Sequence, residues 1–145
     1  GLADHVIARW PTPGRGEPYV VCTGGEPTLQ LDAELIDALH SRGLEVAVET
    51  NGTLPVPDGV DWICVSPKAG TTLVQRHGNE LKLVFPQPDA MPDRFADLAE
   101  SFEHLLVQPM AGPDIEANTR AAVEWSLAHP EWSLSIQTHK ALGIP

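Results

Sequence analysis

The stretch VVCTGGEPTLQLD, residues 20–32, decides the fold. A β-branched run ends at Cys22. Two glycines, a carboxylate and a proline follow, and then apolar residues take up helical spacing. That order is strand, tight turn and helix, the unit from which α/β folds are assembled. Glycine lets a backbone turn sharply and approach a ligand with no Cβ in the way. Pro27 fixes the turn and suits the opening of a helix. The stripe Leu29, Leu31, Leu35, Ile36 and Leu39 continues that helix, with Asp32, Glu34 and Asp37 outside it, and Gly43 marks its stop.

The same rhythm runs outward from this unit. Short apolar runs at 19–22, 44–48, 62–65, 81–85, 105–107 and 132–136 are nearly continuous, which predicts parallel strands covered on both faces. A second helix is predicted over 117–128, capped by Asp114 or Asn118 and stopped before Pro130. A weaker one fits 92–102, and Leu2, Val6, Ile7 and Trp10 read as the end of an amphipathic helix. The links at 52–60 and 66–80 are rich in Gly and Pro and read as loops. The fold class is therefore α/β: a mostly parallel sheet, open or curled into a partial, incomplete β/α barrel. The length of 145 residues suits one domain, 1–145.

Composition narrows the function. Asp and Glu number 20 against 9 Lys and Arg, a formal charge of −11, so the surface repels phosphate backbones and argues against a general grip on nucleic acid, while leaving room for a local basic pocket. The apolar runs are too short to cross a bilayer. Residues 1–10 contain Asp4, His5 and Arg9 and do not read as a secretory leader. Cys22 and Cys64, the only cysteines, sit inside strand-like runs and read as reduced, buried thiols of a cytoplasmic protein. Trp10, Trp62, Trp125 and Trp132 read as core or interface residues.

Ligands of parallel α/β sheets sit at the carboxyl ends of the strands. There the sequence places Thr23, Gly24, Gly25 and Glu26; then Glu49 and Asn51; Ser66 and Lys68; Gln108; and Gln137 and His139. Together these suggest a polar ring around a small polar ligand. Exposed glycine carbonyls beside Glu26 suit an ammonium group, because each hydrogen bond is then charge-assisted. The alternative is a plain turn with a solvated Glu26. A phosphate loop is excluded, since no Gly-Lys-Ser/Thr follows. Asn51 suits a ring edge because its amide both donates and accepts, although Asn51-Gly52 is also a strong turn signal. Lys68 either neutralises a carboxylate or is a solvated loop residue. Lys82 interrupts an apolar run: facing inward it needs an anionic partner, and on an exposed edge it needs none. Gln137 and His139 alternate along the last run and so share a face.

The turn CTGGEP (22–27) resembles the GGEP motif of radical S-adenosylmethionine (SAM) enzymes. CTGGEPTLQLD, VETNGT, DWICVSPK, NELKLVFP, LLVQPMAGP and the terminal QTHKALGIP together resemble the 7-carboxy-7-deazaguanine synthase family of queuosine biosynthesis, from about residue 20 to 145. The resemblance implies a radical ring contraction. In it 6-carboxy-5,6,7,8-tetrahydropterin becomes 7-carboxy-7-deazaguanine, a precursor for tRNA modification, and ammonia is released. It also implies a [4Fe-4S] cluster, SAM and Mg²⁺, a flavodoxin-like electron donor and a homodimer. SAM falls to Thr23, Gly24, Gly25, Glu26, Ser66 (ribose or carboxylate), Lys68 and Gln108. The pterin falls to Glu49, Asn51, Lys82, Gln137, His139 and the Pro145 carboxylate. The family's three cluster cysteines, its first strand and its Mg²⁺ ligand have no counterpart here, and are expected ahead of Gly1. The chain alone is then not expected to cleave SAM. Other readings are another radical SAM enzyme, such as a glycyl-radical activase, and a non-catalytic α/β ligand-binding domain.

Overall fold

The computed structural model describes residues 1–11 and 16–144. Six strands, β1 (Tyr19–Cys22), β2 (Glu45–Thr50), β3 (Trp62–Val65), β4 (Gly78–Phe85), β5 (Phe102–Pro109) and β6 (Trp132–Leu134), form one sheet in chain order. Every neighbouring pair is parallel, and β1 and β6 are edges, so the sheet is open, as the α/β reading requires. Parallel neighbours need a link that returns across the sheet. A helix α2 (Ala33–His40) makes that return between β1 and β2, and α3 (Ile115–Ala128) makes it between β5 and β6. A 3-10 helix over Pro92–Ser101 lies between β4 and β5. Short helices α1 (Leu2–Ile7) and α4 (Thr138–Leu142) flank the whole.

Register decides which residues share a face. Val65, Leu81, Leu105 and Trp132 are successive partners across β3–β6, and Leu83 pairs with Val107. All six are buried, with Val65, Leu81, Leu83 and Val107 at 0% exposure. Phe95, Leu98 and Ala122 from the helices close this core. On β2, Val46 and Val48 belong to the same face and pack with Leu39 and Ile36 of α2. The opposite face carries Tyr19, Glu45, Ala47, Glu49, Trp62, Cys64, Glu80, Lys82, His104 and Gln108 in register.

Here the structure corrects the expectation of strands covered on both faces. Helices cover one face only among the described residues, and Tyr19, Val21, Glu45 and His104 on the other are exposed. The polar alternation of Glu80 and Lys82 along β4 reflects this.

Several boundaries also move: β4 begins at Gly78, inside the stretch 66–80 expected as a loop, and β5 runs on to Pro109. The helix expected from Leu29 starts at Ala33, because Asp32 is extended and its carboxylate accepts the Leu35 N–H at 2.9 Å as an N-cap. Pro27–Leu29 winds as a separate 3-10 turn and leaves Leu29 71% exposed. The 92–102 helix is 3-10 with a break at Phe95, and Phe102 already begins β5. At the start of α3, Asp114 holds the cap position with no side-chain bond, while the Asn118 amide donates to the Met110 carbonyl at 3.0 Å. β6 stops at Leu134 rather than 136, and Gln137 takes the cap position of α4. Gln137 and His139 therefore do not alternate along a strand.

Candidate functional site

Strand β1 delivers Thr23-Gly24-Gly25-Glu26 beyond its carboxyl end, but the Glu26 carboxylate does not face open solvent. Its Oε1 accepts the Thr28 hydroxyl at 2.7 Å, the Thr28 N–H at 3.2 Å and the Thr50 hydroxyl at 2.5 Å. Its Oε2 accepts the Asn51 N–H at 2.8 Å. Burial alone would raise this carboxyl's pKa. The hydroxyls of Thr28 and Thr50 and the two amides outweigh burial, and the net direction is down. Glu26 thus latches the β1 turn to the end of β2.

What the turn leaves available is backbone. Gly24 (φ 104°) needs the left-handed region, and a Cβ built on Gly24 or Gly25 meets nothing within 4 Å. Their backbone groups have no hydrogen-bond partner among the described residues. A cavity of about 390 Å³ opens beside Gly25 on the helix-bearing side, lined by Thr23, Gly25, Glu26 and Gln30 and by apolar Leu2, Leu31 and Leu35. An ammonium fits such a turn at its glycine carbonyls, with the latched carboxylate as the nearby negative charge.

Two further groups stand at the ends of β2–β4. Glu49 on β2 and Lys82 on β4 form an ion pair, Oε1 to Nζ 2.7 Å, with the Lys82 side chain 13% exposed. Lys82 therefore faces the sheet, and its anionic partner within the chain is Glu49. Ser66, just past β3, is buried; its N–H donates to the Thr50 carbonyl at 2.7 Å, and its hydroxyl accepts from Lys68 Nζ at 2.8 Å. The Lys68 residue as a whole is exposed, but its ammonium sits inward on this hydroxyl. Partial burial pushes its pKa down, Lys82 adds to that, and Glu49 and Glu26 pull it up. Lys68 therefore feels the charges of Glu49, Lys82 and Glu26, and its net direction is down.

Asn51 serves two ends: its N–H holds Glu26, and its Oδ1 accepts the Thr53 N–H at 2.9 Å. Gly52 after it has φ 76°, and a Cβ there would lie 2.5 Å from Leu73 Cδ1. Gln108 on β5 is half-buried on the open face, and its amide has no partner among the described residues. The chain-end residues form a separate set. Gln137 lines a mostly apolar cavity of about 380 Å³ with Pro109, Ile115, Thr119 and Ile136, and His139 is exposed on α4. Pro145 lies outside the described residues.

Sequence reasoning missed Thr28 and Thr50. Thr50 is 2% exposed, and its hydroxyl links Glu26 to the Gly52 N–H. A threonine on the covered face of β2, directly before an Asn-Gly turn, was the available signal. Both cysteines are free thiols, Cys22 half-buried and Cys64 buried, and burial raises both pKa values. Among the described residues no group of three or more His, Cys, Asp or Glu is placed to hold a metal ion. An iron–sulfur cluster, which needs at least three thiolates, therefore finds no donor set in them. No helix of the structure is long and apolar enough to cross a membrane.

No protein-family model matches the chain. Individual proteins do. It is 61% identical over 144 residues to the 7-carboxy-7-deazaguanine synthase of Caulobacter vibrioides, covering 99% of this chain and 67% of that protein. It is 58% identical over 143 residues to the synthase of Bradyrhizobium diazoefficiens, with the same coverage. Among solved structures, QueE from Escherichia coli matches with a TM-score of 0.68 at 27% identity, over 93% of this chain and 63% of that one. The chain thus spans about two thirds of the length of these relatives. At such identity along nearly its whole length, this chain belongs to the 7-carboxy-7-deazaguanine synthase family.

Proposed function

We propose that these residues form the SAM- and pterin-binding part of a 7-carboxy-7-deazaguanine synthase, in which 6-carboxy-5,6,7,8-tetrahydropterin loses ammonia as its ring contracts. The 61% identity to the Caulobacter vibrioides synthase over 99% of the chain carries this reading. When bound, a reduced [4Fe-4S] cluster supplies the electron that makes SAM a source of a hydrogen-abstracting radical. Its thiolates are not among the described residues, which hold only Cys22 and Cys64.

The chain's own residues bind and orient. Gly24 and Gly25 offer carbonyls to the SAM ammonium, held in place by the Glu26 latch, and Thr23 adds a hydroxyl beside them. Ser66 binds the SAM ribose or carboxylate, and Gln108 gives its unpartnered amide to the nucleoside. Lys68, whose one side-chain partner is a neutral hydroxyl, meets a carboxylate. Glu49 and Asn51 face the pterin. Gln137, His139 and Pro145 approach it from the chain end. The 145 residues act as one domain, the carboxyl-terminal part of a partial barrel, in a cytoplasmic homodimer reduced by a flavodoxin-like donor.

Anaerobic iron reconstitution of the full chain that the natural gene encodes, with whatever residues flank 1–145, followed by SAM, a reductant and carboxytetrahydropterin, tests the reading. The expected product is 7-carboxy-7-deazaguanine. SAM cleavage without pterin turnover points to another radical SAM enzyme, and neither activity points to a binding domain. Residues 1–145 alone, with two cysteines, are expected to release no 5′-deoxyadenosine under the same conditions.

A further inference from the structure

The two lysines of the site are held differently. Lys68 rests on the neutral Ser66 hydroxyl, whereas Lys82 is spent on a carboxylate. Cys64 on β3 is the register partner of Glu49 on one side and of Glu80 on the other. Lys82 lies two residues beyond Glu80, so it stands nearer the carboxyl ends of the strands than Glu49 does. The two Cα atoms are two strand spacings apart, about 10 Å laterally. Both side chains must extend towards each other over Cys64 to close the 2.7 Å contact. The Cys64 thiol beneath is 6% exposed and feels both charges.

The pair is asymmetric. Lys82 is 13% exposed and Glu49 38%. Glu49 Oε1 is the oxygen in contact with Lys82 Nζ, and Oε2 accepts no hydrogen bond among the described residues. The carboxylate is thus pinned at one oxygen and offers the other on the open face of the sheet.

We propose that Lys82 is a positioning residue: it fixes Glu49 so that Oε2 accepts a hydrogen bond from a ring or amino N–H of the reduced heterocycle, while Lys68 alone of the two lysines meets the substrate carboxylate. This rests on the pterin reading above. It assigns Lys82 no direct contact with substrate. A carboxylate ligand at Lys82 would have to displace Glu49 and leave that carboxylate unpaired beside a second anion, whereas at Lys68 it replaces only a hydroxyl contact.

The test uses the full chain and two oxidised probes, 6-carboxypterin and pterin, which differ only in the carboxyl group. Affinities are read by quenching of pterin fluorescence, with thermal melting to confirm folding. Lys82→Met weakens both probes by about 10- to 100-fold, the loss expected when an acceptor is no longer held, and leaves their affinity ratio unchanged. Lys82→Arg, which keeps the ion pair, stays within about threefold of the parent protein. Lys82→Met added to Glu49→Gln costs less than about threefold more than Glu49→Gln alone, because the lysine acts through the glutamate. Lys68→Met instead removes the preference for 6-carboxypterin over pterin.

Loss of that preference in Lys82→Met would overturn the proposal, since Lys82 would then hold the carboxylate itself. Fully multiplicative losses in the double variant would overturn it too. If the parent protein binds neither probe, the pterin reading falls and takes this inference with it. If the parent binds both and the Lys82 variants behave otherwise than stated, the inference falls alone.

Discussion

The two faces of the sheet are built from the same strands yet obey different rules. On the helix-covered face, Val46, Val48, Leu81, Leu83 and Val107 are at most 1% exposed and pack into apolar clusters. One residue away along each strand, the open face holds Glu49, Lys82 and Gln108, half-buried and polar. Side chains in a strand alternate between faces, so stability and ligand chemistry can be written on alternate letters of one sequence. The exception is Thr50, which sits on the covered face and yet bonds the Glu26 carboxylate. At that point the two faces are joined, and damage to one should reach the other.

The largest expected effect lies on the covered face. Leu83→Ala removes a fully buried side chain and should cost about 2–5 kcal/mol in urea unfolding. Its counterpart Gln108→Ala should stay within about 0.5 kcal/mol of the parent and show itself only as weaker SAM binding. A large unfolding penalty at Gln108 would break the division between faces. Next comes Gly52→Ala. Its φ of 76° and the 2.5 Å approach to Leu73 Cδ1 combine left-handed strain with overpacking, about 3 kcal/mol together. Here the junction of the faces itself is loaded.

Glu26→Gln sharpens the same comparison with a smaller loss, about 2 kcal/mol at neutral pH, because hydrogen bonds to a charged acceptor become bonds to a neutral amide. The carboxyl has a lowered native pKa, so its contribution is present above the ordinary carboxylate value, about 4.3, and disappears as pH falls through the native value. The parent protein should therefore lose stability faster than the variant on acidification, and their urea curves should converge once the pH has fallen below the lowered native value. A gap that stays constant with pH would mean that the charge is irrelevant to the latch.

All six strands were legible because each apolar run is bracketed by turn residues. What was not legible depended on partners distant in sequence. Lys82 inside an apolar run announced a need for an anion, but nothing local named Glu49, 33 positions earlier on a strand two places away. Glu26 raised the question of a ligand, and the structure answered with Thr50 and Asn51, brought beside it only by parallel pairing of β1 and β2. The site residues nearest the chain end fared worst. β6 has three residues and a single neighbour, so little holds it as far as Ile136, and local helix formation takes Thr138 onward. The open face escaped notice because apolar Ala47, Cys64 and Leu106 dilute its polar alternation.

The smallest expected effect probes how sharply the faces are separated. Asp32 lies only six residues after Glu26, but its carboxylate caps α2 on the covered side, accepting the Leu35 N–H at 2.9 Å. Asp32→Ala should cost about 1 kcal/mol of stability, and Asp32→Asn should restore most of it, because an amide oxygen can accept the same bond. Neither variant should alter the affinity for SAM or for 6-carboxypterin. The Glu26 latch runs to β2 and not to α2, so fraying the first turn of α2 leaves Gly24 and Gly25 where they are. If Asp32→Ala weakened SAM binding tenfold while unfolding changed by only 1 kcal/mol, the turn would be positioned through the helix. The latch would then have to be shared between Thr50 and the α2 cap.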